Sequence, residues 1–172
     1  MNLVSFPKAL ILVLLVESVS VESSRGEEPK AKEENPRVKK LFESMQSGKY
    51  NEIEFPKLDM TDVPALLEYA DSIKTLKAFP RSPFSSQAES TCSEGMVALW
   101  LIEGVRQGGK FPSLNSLCFK RGVELKDYSK ASEDNHKDVA KAYRAWWEKA
   151  KSLQGEEASK IDPLKDTGLS WY

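Results

Sequence analysis

Histidine is almost missing from this chain of 172 residues, His136 being the only one. General acid–base work near neutral pH falls most often to histidine, and no Cys or Ser motif stands beside His136 for it to activate. A Gly-x-Ser-x-Gly elbow is absent, as is any His/Cys cluster at zinc spacing. No metal or cofactor is therefore expected, and His136, near the start of a charged helix, is read as a solvated surface residue.

Net charge is also lacking. Lys and Arg total 25 against 26 Asp and Glu, so no overall field gathers nucleic acid or coats an anionic membrane. A nucleic-acid partner is excluded on that ground. Long hydrophobic runs are missing too. The N-terminal run Ala9–Val16 covers about 8 residues, where a bilayer span takes roughly 20. Lys8 before it and Ser18-Val19-Ser20 and Val21-Glu22-Ser23 after it give the order of a cleavable secretory signal. Residues 1–23 are read as that signal. A lipoprotein signal needs a Cys directly after the apolar run, yet the first cysteine is Cys92, so no transmembrane or lipid anchor is expected after cleavage.

What remains is a globular mixture, 40% hydrophobic and 30% charged, of a length suited to one domain. Residues 24–36 hold scarcely an apolar side chain and read as a flexible leader. Residues 37–172 read as a single, mostly α domain, with about four main helices around a buried central one. Val38, Leu41, Phe42 and Met45 space a first helix, which Gly48 stops. Asn51 to Leu58 reads as extended. A second helix starts at a cap, Thr61 or Asp62, with Pro64 in its first turn, and turns Val63, Leu66, Leu67, Ala70 and Ile73 inward. Ser93 to Gln107 is apolar nearly all round and belongs in the centre of the core. The last long helix runs from about Asp134 to Leu153, with Val139, Tyr143, Trp146 and Ala150 on one face. The tail that follows, Ile161 to Tyr172, carries aromatics costly to leave in water and should pack back on the domain.

Glu103 is the acidic residue set inside the apolar helix, with Arg106 and Gln107 within reach at i+3 and i+4. A structural ion pair is the expected reading, ahead of a catalytic acid. Were there a polar site, it would gather Glu103, Arg106, Ser113 and Asn115. Core packing accounts for Trp146, whereas Trp147, Trp171 and Tyr172 are candidates for an aromatic surface that stacks on sugar rings. Cys92 and Cys118, two cysteines in an exported chain, are expected to pair as a disulfide across the central helix and its returning loop. Two buried thiols are the alternative.

The segments DVPALLEYAD (Asp62 to Asp71), FPRSPFSS (Phe79 to Ser86), EGMVALWLIEGVR (Glu94 to Arg106), FPSLNSLC (Phe111 to Cys118), AYRAWWEKA (Ala142 to Ala150) and IDPLKDTGLSWY (Ile161 to Tyr172) give the chain a family likeness. It resembles a group of exported bacterial proteins, many of them lipoproteins of the Bacteroidetes, catalogued as a domain of unknown function. The resemblance implies a helical exported domain and no particular activity. This chain departs from it in lacking the lipoprotein cysteine.

Together these features point to an exported, soluble binding or interaction domain, periplasmic or extracellular, with a protein or glycan partner in the envelope. The alternative is a small glycan-directed hydrolase that works through paired carboxylates and needs no histidine.

Overall fold

The computed structural model describes residues 35–85, 91–122, 128–153 and 156–172. The expected signal, residues 1–23, and the leader up to residue 34 lie outside the described residues. Pro36, expected in the leader, is instead the first residue of the first helix, and Asn35 is its N-cap. Helix α1 runs Pro36–Ser47, with Pro36 in its first turn and the Asn35 side chain accepting from the Arg37 and Val38 backbone N–H groups. It stops at Gly48, whose φ of 76° allows its N–H to turn back to the Met45 carbonyl, a left-handed termination that glycine adopts without strain.

A 3-10 turn, Met60–Asp62, leads directly into α2, Val63–Tyr69. Asp62 holds the N-cap position of α2, as expected, but its side chain caps no α2 N–H; the side-chain cap belongs to the 3-10 turn, where Asp59 accepts from Thr61 N–H and the Asp62 carboxylate accepts from the Asp59 N–H. Asp62 is instead fully buried and receives Asn35 Nδ2 and Arg37 Nε, each at 3.0 Å. One carboxylate thus ties the beginnings of α1 and α2 together. Because α2 ends at Tyr69, Ile73 falls beyond it and is 83% exposed, which corrects the inward placement expected of it.

Helix α3, Glu94–Arg106, is capped by the Ser93 side chain, and its residues from Glu94 to Val105 are all buried. It is the central helix that its apolar circumference predicted. Two of its residues are glycines for a reason of space. A Cβ on Gly95 would lie 2.4 Å from His136 Nε2, and one on Gly104 would lie 2.2 Å from the Phe55 ring. Helix α4, Tyr128–Ala150, begins about six residues before the expected start, and a one-turn α5 covers Glu157–Lys160.

The architecture is helix-rich but not helical throughout. Strand β1, Thr75–Leu76, pairs antiparallel with β2, Cys92–Ser93. Strand β3, Cys118–Lys120, pairs antiparallel with β4, Leu169–Trp171, in the register Cys118 to Trp171. The tail expected to be irregular therefore returns as a strand. Backbone bonds to β3 and its approach hold it: Tyr172 N–H donates to Leu117 O at 3.0 Å, and Asn115 N–H to Tyr172 O at 2.7 Å. No described helix is long and apolar enough to cross a membrane.

Candidate functional site

The polar centre of the domain is Glu103, near the end of α3 and only 5% exposed. Both of its oxygens are occupied. Arg106 donates from Nη2 to Oε1 at 2.5 Å and from Nε to Oε2 at 2.8 Å, the two-pronged geometry that suits guanidinium to carboxylate. Gln107 donates to Oε1 at 2.7 Å, and the Tyr143 hydroxyl donates to Oε2 at 2.7 Å. Tyr143, fully buried on α4, in turn accepts from Trp171 Nε1 at 2.8 Å. Arg106 also donates to the Ser159 carbonyl. Through its partners one carboxylate thus joins α3, α4, α5 and the last strand.

Burial would push the Glu103 carboxyl up, but hydrogen bonds from Arg106, Tyr143 and Gln107 outweigh it and hold the pKa below its ordinary value. Burial, reinforced by the Glu103 charge, raises the Tyr143 phenol far above its ordinary value. An ionised carboxylate with every direction filled by protein donors has no place for a substrate and no proton to give. Glu103 is a structural anchor, as its reading as an ion pair expected.

Ser113 and Asn115 do not join it. The Ser113 hydroxyl accepts from Trp100 Nε1 at 2.7 Å and donates to the Asn115 carbonyl at 2.7 Å. Asn115 accepts through Oδ1 from Ser85 Oγ at 2.5 Å. The four-residue polar site is therefore two separate networks, because the loop after α3 closes over the Trp100 indole while Glu103 faces α4. The three candidate aromatics also part company. Trp147 leans on Trp146 with ring centroids 6.0 Å apart, Trp171 packs edge-on to Tyr143 at 6.3 Å, and Tyr172 sits 5.4 Å from Phe119. Trp147 and Trp171 are half-buried and only Tyr172 is exposed, at 41%.

His136 is a correction. It is 8% exposed, and its Nε2 donates to the Ala70 carbonyl at 2.8 Å, in the space that Gly95 leaves open. The expected disulfide is not formed. Cys92 and Cys118 stand as separate thiols, in different strand pairs. Ser116 Oγ lies 3.3 Å from the Cys92 sulfur, and burial pushes the Cys118 thiol up to about 12. Among the described residues no three His, Cys, Asp or Glu side chains are grouped to hold a metal ion.

Two further features have no local signal in the sequence. Glu94, 1% exposed, accepts from Ser72 Oγ at 2.6 Å and from Gln46. A cleft of about 710 Å³ also opens between one face of α4, the Lys160–Thr167 segment and the β3–β4 ribbon, edged by Lys120, Lys141, Lys149, Lys160 and Lys165.

These elements coincide with a recognised unit. A family model described as a domain of unknown function, DUF4943, matches residues 32–172. The chain belongs to this family. Its span agrees with the compact unit Glu33–Tyr172, so Glu103, the loop networks and the lysine-edged cleft all lie within the DUF4943 domain. No curated protein and no solved structure matches the chain.

Proposed function

We propose that this DUF4943 chain is an exported binding domain of the cell envelope or its surroundings, and that it engages a protein partner through the loops gathered about Asn115. The observation that carries the reading is the bond from Ser85 Oγ to Asn115 Oδ1, which with Asn115 N–H to Tyr172 O joins three segments distant in sequence. Each segment presents an apolar side chain to water at or beside the tie: Phe84 is 86% exposed, Leu114 43% and Tyr172 41%. Apolar side chains concentrated on hydrogen-bonded loops are what interaction surfaces use, because a pre-ordered loop loses little entropy on binding. Export rests on the Lys8 to Val16 pattern and the small residues after it.

The hydrolase alternative loses its best acid in Glu103, whose four donors are all protein groups. Asp138, Asp162 and Asp166 line the cleft but lie exposed, without the apolar enclosure that suits a carboxyl to proton donation.

The test places a photo-crosslinking residue at position 84 in the exported protein. A discrete protein adduct from the extracytoplasmic fraction, abolished by Leu114→Ser at an unchanged melting point, is expected. Retention in the cytoplasm, or an adduct indifferent to Leu114→Ser, overturns the reading.

A further inference from the structure

We infer that the cleft between α4 and the C-terminal segment is a binding site for an acidic oligosaccharide, a sugar chain bearing carboxylate or sulfate groups. The α4 wall is one helical face, since Asp138, the adjacent pair Lys141 and Ala142, Ala145 and Lys149 recur at steps of three or four residues. Two alanines at its middle leave the room that larger side chains would fill. The opposite wall is Lys160 to Thr167, and Lys120 and Leu169 close the end on the β3–β4 ribbon.

Five ammonium groups edge this space, and among the described residues none of them is ion-paired, whereas Lys130 pairs with Asp134 and Lys151 with Glu148 elsewhere. With three aspartates in the lining, the cleft carries a net charge of 5 − 3 = +2 in a chain whose total is −1. Lys141 and Lys149 stand eight residues apart on α4, about 12 Å along its axis at ~1.5 Å per residue. A ligand that meets both is extended and charged at more than one point.

The mixture of charges selects the class. Lysine is a compact point charge, and no arginine fork lines the cleft, so two-pronged capture of a single phosphate or carboxylate is not what it is built for. Asp138, Asp162 and Asp166 would repel an acidic peptide or a nucleic-acid backbone, but they accept hydrogen bonds from sugar hydroxyls interleaved with the anionic groups. Aliphatic surface from Ala142, Ala145, Ile161 and Pro163 meets the apolar face of a ring. The residues are distinct from the loop cluster about Asn115, so the two readings stand or fall separately.

Calorimetry on the purified domain tests the inference with four probes: a heparin-derived sulfated hexasaccharide, a hexamer of galacturonic acid, neutral maltohexaose and hexaglutamate. Binding of a sulfated or carboxylated sugar is expected, the stronger of the two identifying the anionic group, with hexaglutamate at least tenfold weaker and maltohexaose silent. Added salt weakens it, as for any multipoint charge contact. Lys141→Gln with Lys149→Gln and Lys165→Gln, all exposed, should weaken it at least tenfold at an unchanged melting point. Asp138→Ala with Asp166→Ala separates sugar recognition from bare charge attraction. Loss of hydroxyl contacts weakens binding several-fold, whereas removal of two negative charges alone would tighten it. Tighter binding by that variant, hexaglutamate bound as well as the sugars, no binding of either acidic sugar, or indifference to the lysine changes each overturns the inference. The photo-crosslinking residue at position 84 and Leu114→Ser leave sugar binding intact.

Discussion

Trp171 Nε1 donates to the Tyr143 hydroxyl at 2.8 Å, so the penultimate residue of the chain completes the hydrogen bonding of a phenol buried at the centre of the domain. Through Tyr143 the bond reaches Glu103, and the last strand is held to the core by a polar chain as well as by its pairing with β3. Trp171→Phe keeps a ring in place but removes the donor. A loss of about 1 kcal/mol is expected, the net worth of one such bond, together with faster proteolysis of the C-terminal residues. Unchanged melting and unchanged cleavage would show that strand pairing alone secures β4.

Arg106→Ala should be the costliest single change at this centre. It leaves the Glu103 carboxylate buried with only Tyr143 and Gln107 as donors, at about 3 kcal/mol. Glu103→Gln, which removes the charge while keeping the shape, should cost less. Thermal melts of the two variants decide it, and equal melting points for Arg106→Ala and the parent would mean that water replaces the guanidinium.

Stability should fall at both ends of the pH scale. Glu103 has a folded pKa below its ordinary 4.5, so the unfolded chain takes up the proton first as pH falls. Its contribution is complete above 4.5 and is lost as pH drops through the folded value. Tyr143 and Cys118 behave oppositely. Their folded pKa values are raised, Cys118 from 9.0 to about 12, so their contribution is complete below 9 and is lost as pH climbs. Denaturant midpoints of the parent and of Glu103→Gln should converge below about pH 4.5 and stay apart at pH 7. A constant separation down to pH 3 would remove Glu103 from the acid limb.

The α3–α4 contact should tolerate no added carbon at Gly95. A methyl there meets His136 Nε2 at 2.4 Å and the Ala70 carbonyl oxygen at 2.8 Å, the donor and acceptor of one hydrogen bond. Gly95→Ala should destabilise by roughly 1–3 kcal/mol, the usual range for overpacking a filled core. Gly95→Ala combined with His136→Ala should recover part of that loss; no recovery would place the clash with the backbone alone.

Thiol titration of the denatured, unreduced protein should find both cysteines reduced. In the folded protein at pH 8, Cys118 should resist alkylation, because burial holds its thiol protonated. Absence of titratable thiols in exported material would restore the disulfide.

N-terminal sequencing of exported protein should begin between Ser20 and Arg25, where small residues follow the apolar run. An intact Met1 outside the cytoplasm would refute cleavage.

Local patterns alone decided several features of this protein. Ser93 caps α3, Gly48 ends α1, and the apolar circumference of α3 makes it central, because each depends on residues within a turn or two along one backbone. Glu103 and Arg106 were legible as a pair for the same reason, being one helical turn apart. Tertiary structure decided the rest. The fourth donor to Glu103 is Tyr143, 40 residues on, and the partner of His136 is Ala70, 66 residues back, so nothing near either residue announced the contact. His136 looked solvated because its neighbours in sequence are charged, yet a missing Cβ on another helix makes the space that buries it. Lys141 and Lys149 are exposed residues on one face of α4, with nothing in their own helix to mark them. Only the return of the C-terminal segment, which brings Lys160 and Lys165 opposite them, turns that face into a cleft.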